Sequence, residues 1–268
     1  MNDRSSDLIF DVGAHKGEDS DFYLKLGYRV VGVEANPMLA GDLRDRFGKE
    51  IDDDRYAIVD KAIGDSAGTV TFYVNKKLSV WGTADPNWAK RNQGLGADSE
   101  EIEVESIRFS DIIEKHGCPH YIKIDIEGAD MLCVKALKDA ACRPKFISVE
   151  SNKISWFGLL DEFKTFEELG YTKFKIVDQR NHVDGKYRHR EGHLISYKFS
   201  KGATGPFGDD LDGVWLTKSQ AIRAYVPIFF LYKTVGDNTF LSKVLKHVPV
   251  LRRVLDRVSW YDTHATRD

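Results

Sequence analysis

Cysteine, long apolar runs and charge of one sign are all scarce in this 268-residue chain. The three cysteines, Cys118, Cys133 and Cys142, are odd in number and lack C-x-x-C spacing. They provide neither a disulfide framework nor a zinc site, and they read as small buried apolar residues in a reducing compartment. The longest apolar run, YVPIFFLY at 225–232, falls far short of the ~20 residues that span a bilayer. The amino-terminal MNDRSSDLIFDVGA holds no apolar core of a secretory signal, so a soluble cytoplasmic protein is expected. Lys and Arg (39) nearly balance Asp and Glu (42), leaving a formal net charge of −3. That balance argues against a nucleic-acid partner. The hydrophobic fraction of 42% counts Tyr and leaves out Gly, so it is enough for a sizeable core and excludes wholesale disorder.

What the chain does have is alternation. LIF at 8–10 starts a short strand that ends in a glycine turn, and a helical pattern with Phe22, Leu24 and Leu26 stops at Gly27. RVVGV at 29–33 is a second buried strand. Asn36-Pro37 then supplies an N-cap with proline at N1 for a helix to about Phe47. Further strands are expected at 56–63, 68–75, 102–107, 121–128, 146–150 and 171–179, with helices between most of them. GTVTFYVN at 68–75 alternates apolar and polar residues, as a hairpin strand with one wet face would. Strands separated by helices of 10–15 residues predict right-handed βαβ units and an open parallel sheet. Residues 76–100 read as a long loop carrying Trp81 and Trp88, and TGPFGDDLDG at 204–213 reads as a mobile lid, with a rigid connector as the alternative.

Ligands of open α/β sheets bind at the carboxyl ends of the strands. The first such end is DVGAHKG, residues 11–17, where Gly13 and Gly17 permit a tight turn and His15 lies in the cofactor loop. Glu34 closes the second strand, where a carboxylate can accept from both hydroxyls of a ribose. A dinucleotide fingerprint starting at Gly13 would need further glycines where His15 and Glu18 stand. A carboxylate at a helix start opposes a pyrophosphate and suits a cofactor with cationic groups. These features favour S-adenosyl-L-methionine and leave an NAD-dependent oxidoreductase as the alternative.

The segments DVGAHKGEDSDFYLKLGYRVVGVEANP, DKAIGDSAGTVTFYV, YIKIDIEGAD and FISVE, in that order, resemble the FkbM family of S-adenosylmethionine-dependent methyltransferases. The resemblance covers residues 8–217 and includes TGPFGDDLDGVW. It implies an α/β class I methyltransferase (Rossmann-like) fold: a mostly parallel seven-stranded sheet with helices on both faces. It also implies O-methylation of sugars or natural-product hydroxyls. By the family pattern Asp11, Gly13 and Gly17 contact the methionyl end of the cofactor, Glu34 holds the ribose, and Ala62 and Ile63 flank the adenine. Asp125 lies at the same cofactor edge.

An alcohol is a poor nucleophile, so its acceptor needs a base. Period-2 alternation puts Asp125 and Glu127 on one side of KIDIEG, and Glu150 ends the neighbouring strand. Asp125, Glu127 and His182 are the catalytic candidates, and Trp81, Glu150 and His193 the candidates for acceptor contact. Trp88 shares the apolar-face reading with Trp81, and no metal is assigned. The chain divides at residue 217. Residues 218–268 carry nine Lys and Arg against four Asp, a net +5 on a body of net −8. Apolar residues from Leu241 to Val258 recur at helical spacing, so a C-terminal basic amphipathic helical tail is expected. It packs on the body or on a second subunit as a homodimer, or touches a membrane surface. The expected partner is a small-molecule or glycan acceptor. A cofactor-binding scaffold in glycan assembly is the non-enzymatic alternative.

Overall fold

The computed structural model describes residues 7–267 except 141, 152–153, 180–183, 201–202 and 236–260. The first repeats are β1 (Leu8–Val12), α1 (Glu18–Lys25), β2 (Arg29–Val33), α2 (Pro37–Arg46), α3 (Gly48–Asp52) and β3 (Tyr56–Val59). An inserted unit follows, with β4 (Ala62–Ile63), β5 (Gly68–Asn75), α4 (Pro86–Gly94) and β6 (Ser99–Ile107). Alternation resumes with α5 (Phe109–His116), β7 (Tyr121–Ile124), α6 (Asp130–Ala136), β8 (Phe146–Glu150), α7 (Trp156–Glu168) and β9 (Lys173–Asp178). The hairpin β10 (Gly185–Arg188) and β11 (Leu194–Tyr197), then α8 (Lys218–Val235) and β12 (Tyr261–Thr266), complete the described elements.

Seven strands form the central sheet in the order β3-β2-β1-β7-β8-β12-β9. All its directly paired strands run parallel except β12, which is antiparallel to both neighbours. This is the mostly parallel α/β sheet that the alternation predicts. A three-stranded sheet, β4-β6-β5, stands apart, and β5 pairs antiparallel with β6 as the hairpin reading of 68–75 expects.

Strand alternation sorts the two faces. Phe10, Val12, Ile122, Ile124, Ile147 and Val149 point to one side and form a core with residues of α5, α6, α7 and α8. On the other side Ile9, Tyr121 and Phe146 pack with α1, Leu43 and Phe207. That second face also carries a cross-sheet row of polar residues. The register aligns Asp11 with Lys123, Lys123 with Ser148, Ser148 with His264, and His264 with Lys175. All five are buried.

Four expectations change. The tail is not a separate helical extension. α8 is helical, but β12 returns into the central sheet, so the division at residue 217 does not isolate the end of the chain. Polar partners make YDTHAT a buried strand: Thr263 Oγ1 meets Tyr225 Oη at 2.8 Å, and Gln179 Nε2 donates to Asp262 at 2.6 Å. The apolar stripe 241–258 lies outside the described residues. Residues 76–100 are not one loop. Asp85 accepts from Asn87 N and Trp88 N and, with Pro86 at the first turn, starts α4. Residues 204–213 are held in place rather than poised as a lid. Thr204 N and Gly205 N donate to Asp19, and Phe207 stacks on Tyr121 with ring centroids 4.2 Å apart. Finally, Cys118 and Cys142 form a disulfide, and only Cys133 keeps the buried free-thiol reading. No helix among the described residues is long and apolar enough to cross a membrane.

Removing residues 261–268 should strip β8 and β9 of their shared partner. The expected outcome is loss of the cooperative thermal transition followed by circular dichroism. An unchanged melting curve would refute the place of β12 in the sheet.

Candidate active site

The crevice forms where β1 parts the sheet between β2 and β7, at their carboxyl ends. Gly13 is required at the turn. Its φ is 83°, and a Cβ there would lie 1.9 Å from the Asp125 carbonyl oxygen. Gly13 N and Ala14 N both donate to Val33 O, which holds the turn against the end of β2. Glu34 locks the same junction: His15 N donates to one carboxylate oxygen and Asn36 N to the other, each at 2.8 Å. Each oxygen keeps a further lone pair for a ligand hydroxyl. Burial pushes the Glu34 carboxyl up, against those two backbone bonds. His15 Nε2 meets Ser79 Oγ at 2.8 Å, which closes the crevice from the inserted unit.

The resulting cleft holds about 850 Å³ of empty space, open solvent included. Its two ends differ. Val33, Leu39, Ala62, Ile63 and Phe72 make an apolar end, whereas Asp19, Lys123, Asp125 and Glu127 line the polar end. An apolar slot, a buried carboxylate with spare lone pairs and a carboxylate-rich far end fit the adenine, ribose and cationic groups of S-adenosylmethionine. Glu18 and Asp19 in the first turn of α1 oppose a phosphate there.

Of the expected cofactor residues, Gly13, His15, Glu34, Ala62, Ile63 and Asp125 line this cleft. Asp11 and Gly17 do not. Asp11 is fully buried below it, where it accepts from Ser20 Oγ at 2.6 Å and pairs with Lys123 at 3.4 Å. Gly17 (φ 78°) caps α1 in the left-handed region, and its Cα side faces the Phe47 ring; a Cβ would come within 2.4 Å. Both shape the turn from behind.

Asp125, Glu127 and Glu150 converge as expected, and one carboxylate oxygen from each lies within 4.8 Å of the others. A strained turn achieves this. Glu127 adopts φ 51°, and Asp130 accepts from Ile126 N and Gly128 N at 3.2 Å. Trp88 Nε1 donates to Glu127 Oε2 at 2.6 Å, and Thr83 Oγ1 donates to Glu127 O at 2.8 Å. Gly128 leaves the space that the Trp88 indole fills. A second cavity opens beside this group, lined by Trp88, Asp130, Glu150, Ser151 and Glu162 among others.

Trp81 lines neither cavity; its carbonyl accepts from Asn92 Nδ2. Trp88 takes the place expected for it. His193 lies by the turn of the β10–β11 hairpin, stacked on His189 with centroids 4.1 Å apart. His189 packs against Gly27, past the carboxyl end of α1 and across the sheet from the cleft. His193 is therefore not an acceptor residue. His182 lies outside the described residues.

Lys123, Asp19 and Asp130 belong to the site as well. Lys123 is buried between Asp11, Asp19 and Asp125, at 3.4–3.9 Å, and donates to Gly13 O at 3.0 Å. Burial pulls its amine towards the neutral form, but the three carboxylates outweigh that and raise its affinity for the proton. Its signal was the K-x-D alternation of KIDIEG, which puts the lysine on the face of Asp125.

The model of the family described as "Methyltransferase FkbM domain" matches residues 11–173. No curated protein matches the chain in sequence. Among solved structures, a precorrin-6y C5,15-methyltransferase from Geobacter metallireducens is similar, at 13% identity and TM-score 0.38, over 72% of this chain and 76% of that one. A SAM-dependent O-methyltransferase from Thermotoga maritima shows 8% identity and TM-score 0.40 over 98% and 60%. An O-methyltransferase from Bacillus cereus in complex with SAH shows 13% and 0.35 over 70% and 71%. The functional reading rests on the family match and the site geometry rather than on these distant likenesses.

Gly13→Ala should weaken binding of S-adenosylhomocysteine, followed by calorimetry, by about tenfold or more (~1.4 kcal/mol); unchanged affinity would refute the tight turn. The Asp130 carboxyl is pushed up to about 7, by burial first and then by Asp125 and Glu150. Its folded value lies above the ordinary 3.8, so its stabilisation is full below that pH and is lost as pH rises through about 7. Asp130→Asn, neutral throughout, should flatten the fall in Tm between pH 4 and 8; a slope equal to the parent's would sink this assignment.

Proposed function

Because the chain belongs to the FkbM methyltransferase family and its cofactor is S-adenosyl-L-methionine, we propose that it methylates a hydroxyl of a carbohydrate or glycosylated natural product. The observation that carries this reading is the second cavity, floored by Trp88 and walled by Glu150, Ser151 and Glu162, which adjoins the acid end of the cofactor cleft. Carboxylates accept from the hydroxyls of a sugar, and the Trp88 indole, with Arg91 over its ring at 4.7 Å and Gly128 against it, gives the cavity an apolar side.

The cofactor supplies an electrophilic methyl group on a sulfonium. The chain's own residues must hold the acceptor oxygen in line and take its proton. Asp125 faces the cofactor cleft and also meets Glu127 and Glu150, so it is the group best placed to accept that proton. Lys123 Nζ lies 3.9 Å from the Asp125 carboxylate. Glu127 is fixed by Trp88 and by its turn, which suits it to orienting the acceptor. Glu150 reaches the group from the next strand and provides the far wall.

Transfer of labelled methyl from S-adenosylmethionine should be screened over free, nucleotide-activated and lipid-linked sugars, with the product's methyl position read by NMR. A methyl ether is expected, and transfer to nitrogen alone would overturn the hydroxyl reading. Trp88→Ala should raise the acceptor KM about tenfold while S-adenosylhomocysteine affinity stays within about twofold. An unchanged KM would remove Trp88 from the acceptor site.

A further inference from the structure

We propose that Asp125, Glu127, Glu150 and Asp262 form a site for one divalent, oxygen-seeking cation between the cofactor cleft and the acceptor cavity. The first three offer one carboxylate oxygen each, all within 4.8 Å of one another. Opposite ligands of a six-coordinate ion are separated by twice the metal–oxygen distance. That is about 4.2 Å for Mg²⁺ and about 4.6–5.2 Å for Ca²⁺, so the group spans the size of a cation shell before any side chain moves. All-oxygen, all-anionic donors select this class of ion over the softer transition metals.

Asp262 gives an independent sign. It lies on β12 directly across from Glu150, and directly opposed residues of an antiparallel pair project to the same face. Its side chain is 3% exposed. Gln179 Nε2 donates to Oδ2, but Oδ1 is buried with no hydrogen-bond partner. Asp125 and Glu150 are its like-charged neighbours, and Lys123 is the opposite charge nearby. An acid buried among acids with one orphaned oxygen is what a coordination position looks like without its ion. Lys123 is near Asp125 and Asp262, but it is already engaged by Asp11, Asp19 and the Gly13 carbonyl.

The site itself does not depend on the acceptor reading; its role does. If the acceptor is a hydroxyl, a cation here would take that oxygen as a further ligand and ease its deprotonation.

The test uses Mn²⁺ as probe on the full chain, without cofactor or acceptor, followed by calorimetry and by the electron paramagnetic resonance of the bound ion. One saturable Mn²⁺ per chain is expected, displaced by Mg²⁺ or Ca²⁺. Loss of an outer-shell partner commonly weakens a metal site 10–100-fold, so Glu150→Gln and Glu127→Gln, each removing a direct ligand, should weaken it by at least about tenfold. A cooperative thermal transition by circular dichroism, retained in both, shows that the chain remains folded. Asp262→Asn should weaken Mn²⁺ in the same way, and if it fails to fold, the two glutamate variants decide. His189, Glu191 and His193 form another cluster with metal-ligand spacing, so His193→Ala should leave Mn²⁺ affinity unchanged. The proposal is overturned by no saturable binding at millimolar Mn²⁺, by affinity indifferent to Glu127 and Glu150, or by binding lost with His193. Mn²⁺ binding without methyl transfer to any hydroxyl would overturn the functional reading alone.

Discussion

The ammonium of Lys123 sits inside the protein, 6% exposed, between the carboxylates of Asp11, Asp19 and Asp125. Those partners come from β1, from the first turn of α1 and from the residue just past β7. Its hydrogen bond to the Gly13 carbonyl adds the glycine turn to the same knot. Breaking a buried ion pair by removing one partner typically costs about 3–5 kcal/mol, because the other charge is stranded. The knot therefore fixes the two strands that define the crevice, the helix that starts above it and the acid that lines the polar end of the cofactor cleft. Asp19 extends it outwards by accepting from Thr204 and Gly205, which fastens the 203–211 segment over the polar face of the sheet.

Around this knot the acids divide the site. Glu34, Gly13 and His15 belong to a junction closed by backbone hydrogen bonds, so cofactor recognition is built largely into main-chain geometry. The acceptor side is built from side chains instead. Glu127 is bent into a left-handed turn, propped by Trp88, and brought beside Glu150 from the next strand. Strain of that kind persists only where surrounding contacts over-determine it, and here α4, the 125–130 turn and β8 share the task.

Much of this was legible in the chain. Asn36-Pro37 announced α2, and the Asn36 side chain does accept from Met38 N. The alternation of KIDIEG put Asp125 and Glu127 on one edge; they do meet, but the strand stops at Ile124 and the left-handed turn at Glu127 brings them together. Other signals were ambiguous by nature. Gly13 and Gly17 look alike in DVGAHKG, yet one admits the Asp125 carbonyl and the other the Phe47 ring. Asp11 and Asp125 are both strand-associated acids, yet one is sealed under the floor and the other opens on the cleft. Trp81 and Trp88 share one segment, and the Asp85-Pro86 start of α4 decides which of them reaches the site.

The sequence by itself determined the βαβ alternation, the crevice at the end of the first strand, Glu34 at the second and the acid pair of KIDIEG. These are carried by residues close in the chain, through strand periodicity, capping and the conformational freedom of glycine. Only the tertiary structure decided that YDTHAT is a buried strand, that Cys118 meets Cys142, that 203–211 is clamped, and that His193 lies far from the cleft. It alone decided that Asp262 faces Glu150. Each of these depends on a partner far away in sequence, and a polar strand becomes a core strand only when its neighbours supply hydrogen bonds that no local pattern records.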